Sequence, residues 1–324
     1  MKGVVMSVYD NLDIAFSGCI TSKALILAEH MGFFEHLDEN DSVSEHLLKE
    51  VYKDKGSYLD AIINSLCEGG ILSSQHEHYQ LLVSREKIKK KVPIFKLWLY
   101  AYRDLLSEQE RMFDGELDRI PYDGGSVAKH SAEIGSAFID KQLGQVVAEL
   151  ELTGTLCDMG CGAGLRLINL CRNFGLQGVG MDMDANAVAL ANQNLTKSSV
   201  DGVEFKQQDI TKIEGRHEDI EAIMFTFFTH HIEPNERLER LLSSYREIFP
   251  NLKYIVIFDT VTGEKANEVN NIFSKGFDYI HRLQGLIPRT RADYMSIFDN
   301  SNLSLTQEIP LAVDNSYVWI CKVA

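Results

Sequence analysis

Thr155-Leu156-Cys157-Asp158-Met159-Gly160-Cys161-Gly162-Ala163-Gly164 opens the stretch that decides the fold, and Gly178-Val179-Gly180-Met181-Asp182 closes it. In order, these residues read as a strand, a glycine-rich turn, a helix, a second strand and an acid. Leu156 starts a short apolar strand that ends at Asp158. Gly160, Gly162 and Gly164 follow at alternate positions, and Leu165, Leu167, Ile168 and Leu170 then share a helical face. Asp182 stands at the tip of the second strand, where a carboxylate can accept from both hydroxyls of a ribose. The glycine spacing decides which nucleotide. A dinucleotide turn runs G-x-G-x-x-G, and its third glycine would fall at Leu165. There is no lysine to hold phosphates, so a P-loop is excluded as well. Alternating glycines let the backbone approach a ligand without a side-chain clash.

This stretch resembles motif I of the class I S-adenosylmethionine (SAM) methyltransferases. The resemblance implies a Rossmann-like sheet in which Asp158, Gly160, Gly162 and Gly164 belong to the cofactor turn and Asp182 binds the ribose. Residues 203–210 read as a third strand ending in another acid. They resemble the family's adenine-binding position, which implies that Asp209 accepts from the adenine amino group, with Ile210 beside it. Met183, just after the ribose acid, would lie against the adenine face. Cys157 and Cys161 in the turn read as small packing residues.

Outward from the turn, strands and helices alternate, as in a doubly wound sheet. Residues 185–195 form an alanine-rich helix. Residues 222–228 are a buried fourth strand that runs into Thr229-His230-His231; residues 238–249 are a helix and 254–259 a fifth strand. Residues 303–309 and 316–323 read as a final antiparallel hairpin. Methyltransferases of DNA-base amino groups usually carry an Asn/Asp-Pro-Pro-aromatic turn after the fourth strand, and it is absent here.

Towards the N-terminus, residues 11–84 read as three helices and a two-stranded wing at Ile71-Leu72 and Tyr79-Gln80-Leu81. A helix-turn-helix with a wing suggests DNA, but the third helix has Asp60 and Glu68 and no arginine. The pattern instead resembles the N-terminal dimerisation domain of small-molecule methyltransferases, which implies a homodimer. Residues 94–102, with Trp98, Tyr100 and Tyr102, read as a buried or interface helix or a pocket wall. The expected organisation is a helical winged-helix-like domain over 1–91, a helical linker and pocket segment over 92–150, and a SAM-binding α/β domain over 151–324.

Length and composition agree. The 324 residues suit one large or two modest domains. A formal charge of −15 argues against a nucleic-acid partner. The strongest basic run, residues 85–91, reads as a solvated segment. Six cysteines at 19, 67, 157, 161, 171 and 321 form no CxxC pair, which favours a reducing cytoplasm. Lys2 is soon followed by Asp10 and Asp13, which argues against a signal peptide. No apolar run is expected to approach the ~20 residues that span a bilayer, so no membrane partner is expected.

The chemistry turns on the histidines. SAM carries an electrophilic methyl, so the protein must position two reactants and supply a nucleophile in reactive form. Open α/β sheets bind ligands at the carboxyl ends of their strands, which places His230 and His231 well. His230 resembles the base of O-methyltransferases that share the N-terminal domain, where a His-Asp pair follows the fourth strand; here His231 replaces the Asp. Gly276-Phe277-Asp278-Tyr279-Ile280-His281 and the run to Arg291 resemble α-keto acid C-methyltransferases, the phenylpyruvate and 2-ketoarginine group. Some of these hold a non-haem iron, which implies iron or another divalent metal on His230 and His281. A metal chelated by a 2-oxo acid stabilises its enolate, and two histidines leave positions open for that substrate. His231 is then the expected base, and Arg289 or Arg291 suits a substrate carboxylate.

The lead expectation is thus a SAM-dependent C-methyltransferase of a small 2-oxo acid. Second is a metal-free O-methyltransferase of a small hydroxylated metabolite with His230 as base, and third a non-catalytic SAM-binding regulator that uses DNA.

Overall fold

The structure is a computed structural model that describes residues 11–117, 123–263, 272–313 and 315–323. Lys2 and Asp10, read above against a signal peptide, lie outside them. The chain divides into two compact units, residues 1–100 and 101–324, so the expected linker is shared between them.

The first unit is mostly helical: α1 (Asn11–His30), β1 (Ser42–Ser44), α2 (Glu45–Val51), α3 (Gly56–Glu68), β2 (Leu72–Gln75), β3 (His78–Leu81) and α4 (Arg85–Lys96). The expected wing is β2 and β3, and β1 adds a third antiparallel strand, giving the order β1-β3-β2. Three residues are too few for alternation to mark β1 in the sequence. Ser44 caps α2 and Ser84 caps α4, each accepting from the backbone N–H three residues on. Residues 94–102 split into the end of α4 and a π-helical turn over 97–101, with Trp98 and Tyr102 buried. One expectation needs correction: by length and composition α1 is long and apolar enough to cross a membrane. Five of its residues, among them Leu25 and Ile26, are buried.

The second unit starts with four helices, α5 (Arg103–Ser107), α6 (Gln109–Phe113), α7 (Gly124–Phe138) and α8 (Asp140–Glu149). The alternating part follows: β4 (Thr155–Met159), α9 (Leu165–Phe174), β5 (Gln177–Asp182), α10 (Ala185–Ser198), β6 (Val203–Gln207), β7 (Ile220–Thr226), α11 (Asn235–Ile248) and β8 (Tyr254–Thr260). Then come α12 (Ile272–Leu283), α13 (Arg291–Asn300), β9 (Leu303–Pro310) and β10 (Ser316–Val323). One sheet has the order β6-β5-β4-β7-β8-β10-β9. Strands β6 to β8 are parallel and β10 pairs antiparallel with both β8 and β9, which is the Rossmann-like sheet with a terminal hairpin.

Helices cover both faces, so the central strands read as continuous apolar runs. All five residues of β4 are buried, as are the first six of β7. One face packs Phe225, Tyr245, Ile257 and Trp319; the other packs Leu156, Leu167, Met224 and Phe258. Chain order runs outward in opposite directions from β4 and β7. That reversal opens a crevice at their carboxyl ends, where this architecture binds ligands.

Candidate active site

The cofactor turn follows β4. Gly160, Gly162 and Gly164 have φ of 78°, 52° and 72°, left-handed values that L side chains resist. A Cβ on Gly160 would stand 2.6 Å from the ring of Phe228, whereas one on Gly162 would meet nothing within 4 Å. The backbone at Gly162 therefore borders open space. Its N–H donates to Asp182 Oδ2 (2.9 Å), and Asp182 Oδ1 accepts from the Asp184 N–H (2.9 Å). Asp182 is thus fixed beside the turn, at the end of β5.

Asp158 is 2% exposed, and its Oδ1 has no hydrogen-bond partner among the described residues. Burial, reinforced by the charge of Asp182, pushes its pKa up to about 7 against the opposing pull of Arg166. A buried carboxylate without a donor is costly, so this position fits a ligand that brings a cation or a donor. The open cradle and the orphaned acid together fit SAM, which carries both.

Asp209 departs from expectation in its setting. Strand β6 stops at Gln207, and Asp209 caps a 3₁₀ turn over 210–212. Its Oδ1 accepts from Thr211 Oγ1 (2.7 Å) and Thr211 N (3.0 Å), and Lys212 lies 3.2 Å from Oδ2. The hydroxyl bond from Thr211 comes first in holding its pKa below the usual carboxylate range. The side chain of Ile210 is buried in the core, so only its backbone is left to face a cofactor. Met183 is exposed.

The histidines gather at the ends of β7 and β8. Phe227 turns the chain with φ 53°, and a 3₁₀ turn over 229–231 carries His230 and His231. Helix α12 supplies His281 in its last turn. Ring centroids are 4.1 Å apart for His230–His231, 4.7 Å for His230–His281 and 5.6 Å for His231–His281. One ring nitrogen from each falls within a common 4.8 Å. His230 and His281 are buried; His231 keeps access to solvent.

Each buried ring is oriented through Nδ1. That of His230 is 2.7 Å from Asp259 Oδ1, and that of His281 is 2.6 Å from the Phe277 carbonyl. Both neighbours are acceptors, so Nδ1 carries the proton and Nε2 is the nitrogen suited to a metal. Removal from water, then the charge His230 would carry, pushes His281 down to about 3. The pKa of His231 also moves down: the protein around its ring comes first, then charge on His230 and His281. His231 and His281 are therefore neutral near pH 7, as metal ligands must be, and three imidazoles suit iron, zinc, copper or nickel.

Asp259 was legible in the sequence only as the end of the fifth strand. It is fully buried and accepts from Thr229 Oγ1, His230 N, His230 Nδ1, Thr260 N and Tyr294 Oη, at 2.5–3.0 Å. Burial alone would raise its pKa. Its interactions with the His230 ring and the other donors outweigh burial and hold it well below the carboxylate range.

Arg289 and Arg291, expected to bind a substrate carboxylate, both have partners within the protein. Arg289 is 3% exposed; its Nε donates to Asn235 Oδ1 and Nη1 to the Thr229 carbonyl, both at 2.7 Å, and Nη2 donates to the Ile232 carbonyl. It straps the histidine turn. Arg291 is paired with Glu308 (2.9 Å).

Residues 156–250 match the family described as Methyltransferase domain. Over 310 residues the chain is 33% identical to the indolepyruvate C-methyltransferase of Streptomyces griseus, covering 95% of this chain and 93% of that one. Solved structures of similar fold include the pyocyanin biosynthetic protein PhzM (TM-score 0.68, 12% identity, 97% and 98% of the two chains). Human N-acetylserotonin methyltransferase in complex with SAM is another (TM-score 0.69, 14% identity, 98% and 99%). With a glycine cradle, a strand-end acid and similarity along nearly its whole length, the chain belongs to the class I SAM-dependent methyltransferases, in the family of the Streptomyces griseus C-methyltransferase.

Proposed function

We propose that this methyltransferase methylates the carbon beside the keto group of a small 2-oxo acid, with a divalent metal held by His230 and His281. The three-histidine cluster at the mouth of the β4–β7 crevice carries this reading. The relative's name, indolepyruvate C-methyltransferase, supports a 2-oxo acid and an aromatic side chain. Phe227, Phe273 and Phe277 stand close to the cluster and suit such a ring.

The protein's own groups divide the work. The glycine turn, Asp182 and Asp209 bind and orient the cofactor. Asp259 and the Phe277 carbonyl orient two imidazoles. When bound, a divalent metal chelated by the keto acid withdraws electrons and eases loss of the neighbouring proton. His231, with its solvent access, takes that proton and passes it to water. Its lowered pKa makes it a weak base, so the reading requires an acidified substrate.

Metal-free O-methylation with His230 as base is the second reading, and the His230–Asp259 pair favours it. Incubation with methyl-labelled SAM and a panel of 2-oxo acids separates the two. The expected product carries the label on carbon, and a chelator abolishes its formation until Fe(II) is restored. Label on oxygen, formed in the presence of chelator, contradicts the lead reading.

The enzyme is further proposed to be a cytoplasmic homodimer. All six cysteines are free thiols, and Leu12, Phe16 and Ile20 lie exposed at every fourth position of α1.

A further inference from the structure

We infer that Phe228 forms an aromatic wall for the sulfonium of SAM, so that the site distinguishes the cationic methyl donor from its neutral thioether product. The inference rests on the cofactor and not on the choice between C- and O-methylation.

The order of elements along the sheet edge sets the position. Strands β5, β4 and β7 are consecutive neighbours. Their carboxyl ends present Asp182, then the Gly160–Gly162 turn, then Phe228 and the histidines. SAM must place its ribose near the acid and its methyl near the reacting substrate. The sulfonium joins these two parts, so it falls in the crevice between β4 and β7. Phe228 is the side chain that bridges this crevice. Its ring lies against Gly160, where a Cβ would be 2.6–3.1 Å from three ring carbons. It also meets His231 edge-on at 6.2 Å and stacks on Phe225 at 6.5 Å.

Local backbone shape is consistent with a purpose beyond core packing. Phe227 takes a left-handed φ of 53°, an uncommon conformation for a bulky residue, and this turn directs the following ring back over the glycine. Phe228 is half-buried, whereas Phe225, three residues earlier, is fully buried. An aromatic face attracts a cation through its quadrupole, most strongly where water is excluded. The reaction removes that positive charge. The hold on the nucleoside then weakens as the thioether forms, which favours exchange of product for new donor.

Calorimetric titration of the full-length protein with SAM and with S-adenosylhomocysteine tests this without relying on turnover. Phe228→Leu keeps an apolar side chain and loses the π face. We expect it to weaken SAM binding about 3–30-fold while S-adenosylhomocysteine changes by no more than about twofold. Phe228→Tyr should keep the wild-type ratio. Where Phe228→Leu does not fold, mono-, di- and trifluorophenylalanine at position 228 retain the shape and drain the face. The SAM-to-product affinity ratio should then fall stepwise with fluorine number. Equal weakening of both nucleosides, or a ratio unmoved by fluorination, overturns the inference.

Discussion

Asp158 shows how the surroundings of a single buried residue can point to the chemistry of a ligand. Its pKa of about 7 lies above the ordinary 3.8 because burial outweighs the nearby Arg166. A raised carboxyl pKa means that the folded chain binds more protons than the unfolded chain between about pH 4 and 7. Stability from this group therefore falls as pH rises through that window. The depressed pKa values of His231 and His281 act in the opposite direction below about 6.5, but they are common to any Asp158 variant. Asp158→Asn should accordingly flatten the wild-type decline and be more stable than wild type at pH 7 without cofactor, by a few kcal/mol at most. Denaturant titrations of both proteins at pH 4.5, 6 and 7.5 check this; parallel curves would contradict it. The same variant should bind SAM more weakly. At this scale the sequence was informative where chemistry demanded a rare residue type. Left-handed turns select glycine, and a strand-end acid is conspicuous beside them. It offered Arg289 only as a partner for a substrate carboxylate, because nothing local separates a buried strap from a surface charge.

Among the elements, the turn over 229–231 matters most, and its stiffness comes from distant parts of the chain. Asp259 at the end of β8 accepts from Thr229 and His230, while Arg289 holds the Thr229 and Ile232 carbonyls. Tyr294 of α13 closes the network on Asp259. Replacing Arg289 by Ala leaves two buried carbonyls and Asn235 without this donor and should cost about 2–4 kcal/mol. Arg289→Lys supplies one compact donor in place of a fork. It should fold, with a smaller stability loss, and should bind metal roughly 10–100-fold more weakly, the usual effect of disturbing groups that orient ligands. The Co(II) absorption spectrum measures both affinity and geometry. An unchanged spectrum and affinity in Arg289→Lys would remove Arg289 from the positioning network. These contacts join residues 29 to 60 positions apart, a separation that periodicity cannot bridge. The sequence placed His230, His231 and His281 as candidates, but their convergence depended on tertiary packing. Strand β6 likewise stopped short of its expected end because Asp209 satisfies a turn instead of the ladder.

For the whole molecule, the order of the central sheet strands matters more than their individual boundaries. The β6-β5-β4-β7-β8 order puts a cofactor turn and a histidine turn on adjacent strands across one crevice. Alternation of strand and helix made that sheet legible, and the terminal hairpin showed in its apolar runs. The small sheet of the first unit was only partly visible, since β1 has three residues. If α1 carries the subunit contact, light scattering should give twice the 36.6 kDa chain mass. Replacing Phe16 and Ile20 by Glu should then yield monomers. A wild-type monomer at micromolar concentration would contradict the proposed homodimer.

The central claim concerns the histidine cluster, and elemental analysis tests it most directly. Wild type, His230→Ala and His281→Ala would be purified without oxygen, reconstituted with Fe(II) and desalted. The account predicts about one iron per wild-type chain and almost none in either variant. A reconstituted wild type without stoichiometric metal, or variants that retain as much as wild type, would contradict it.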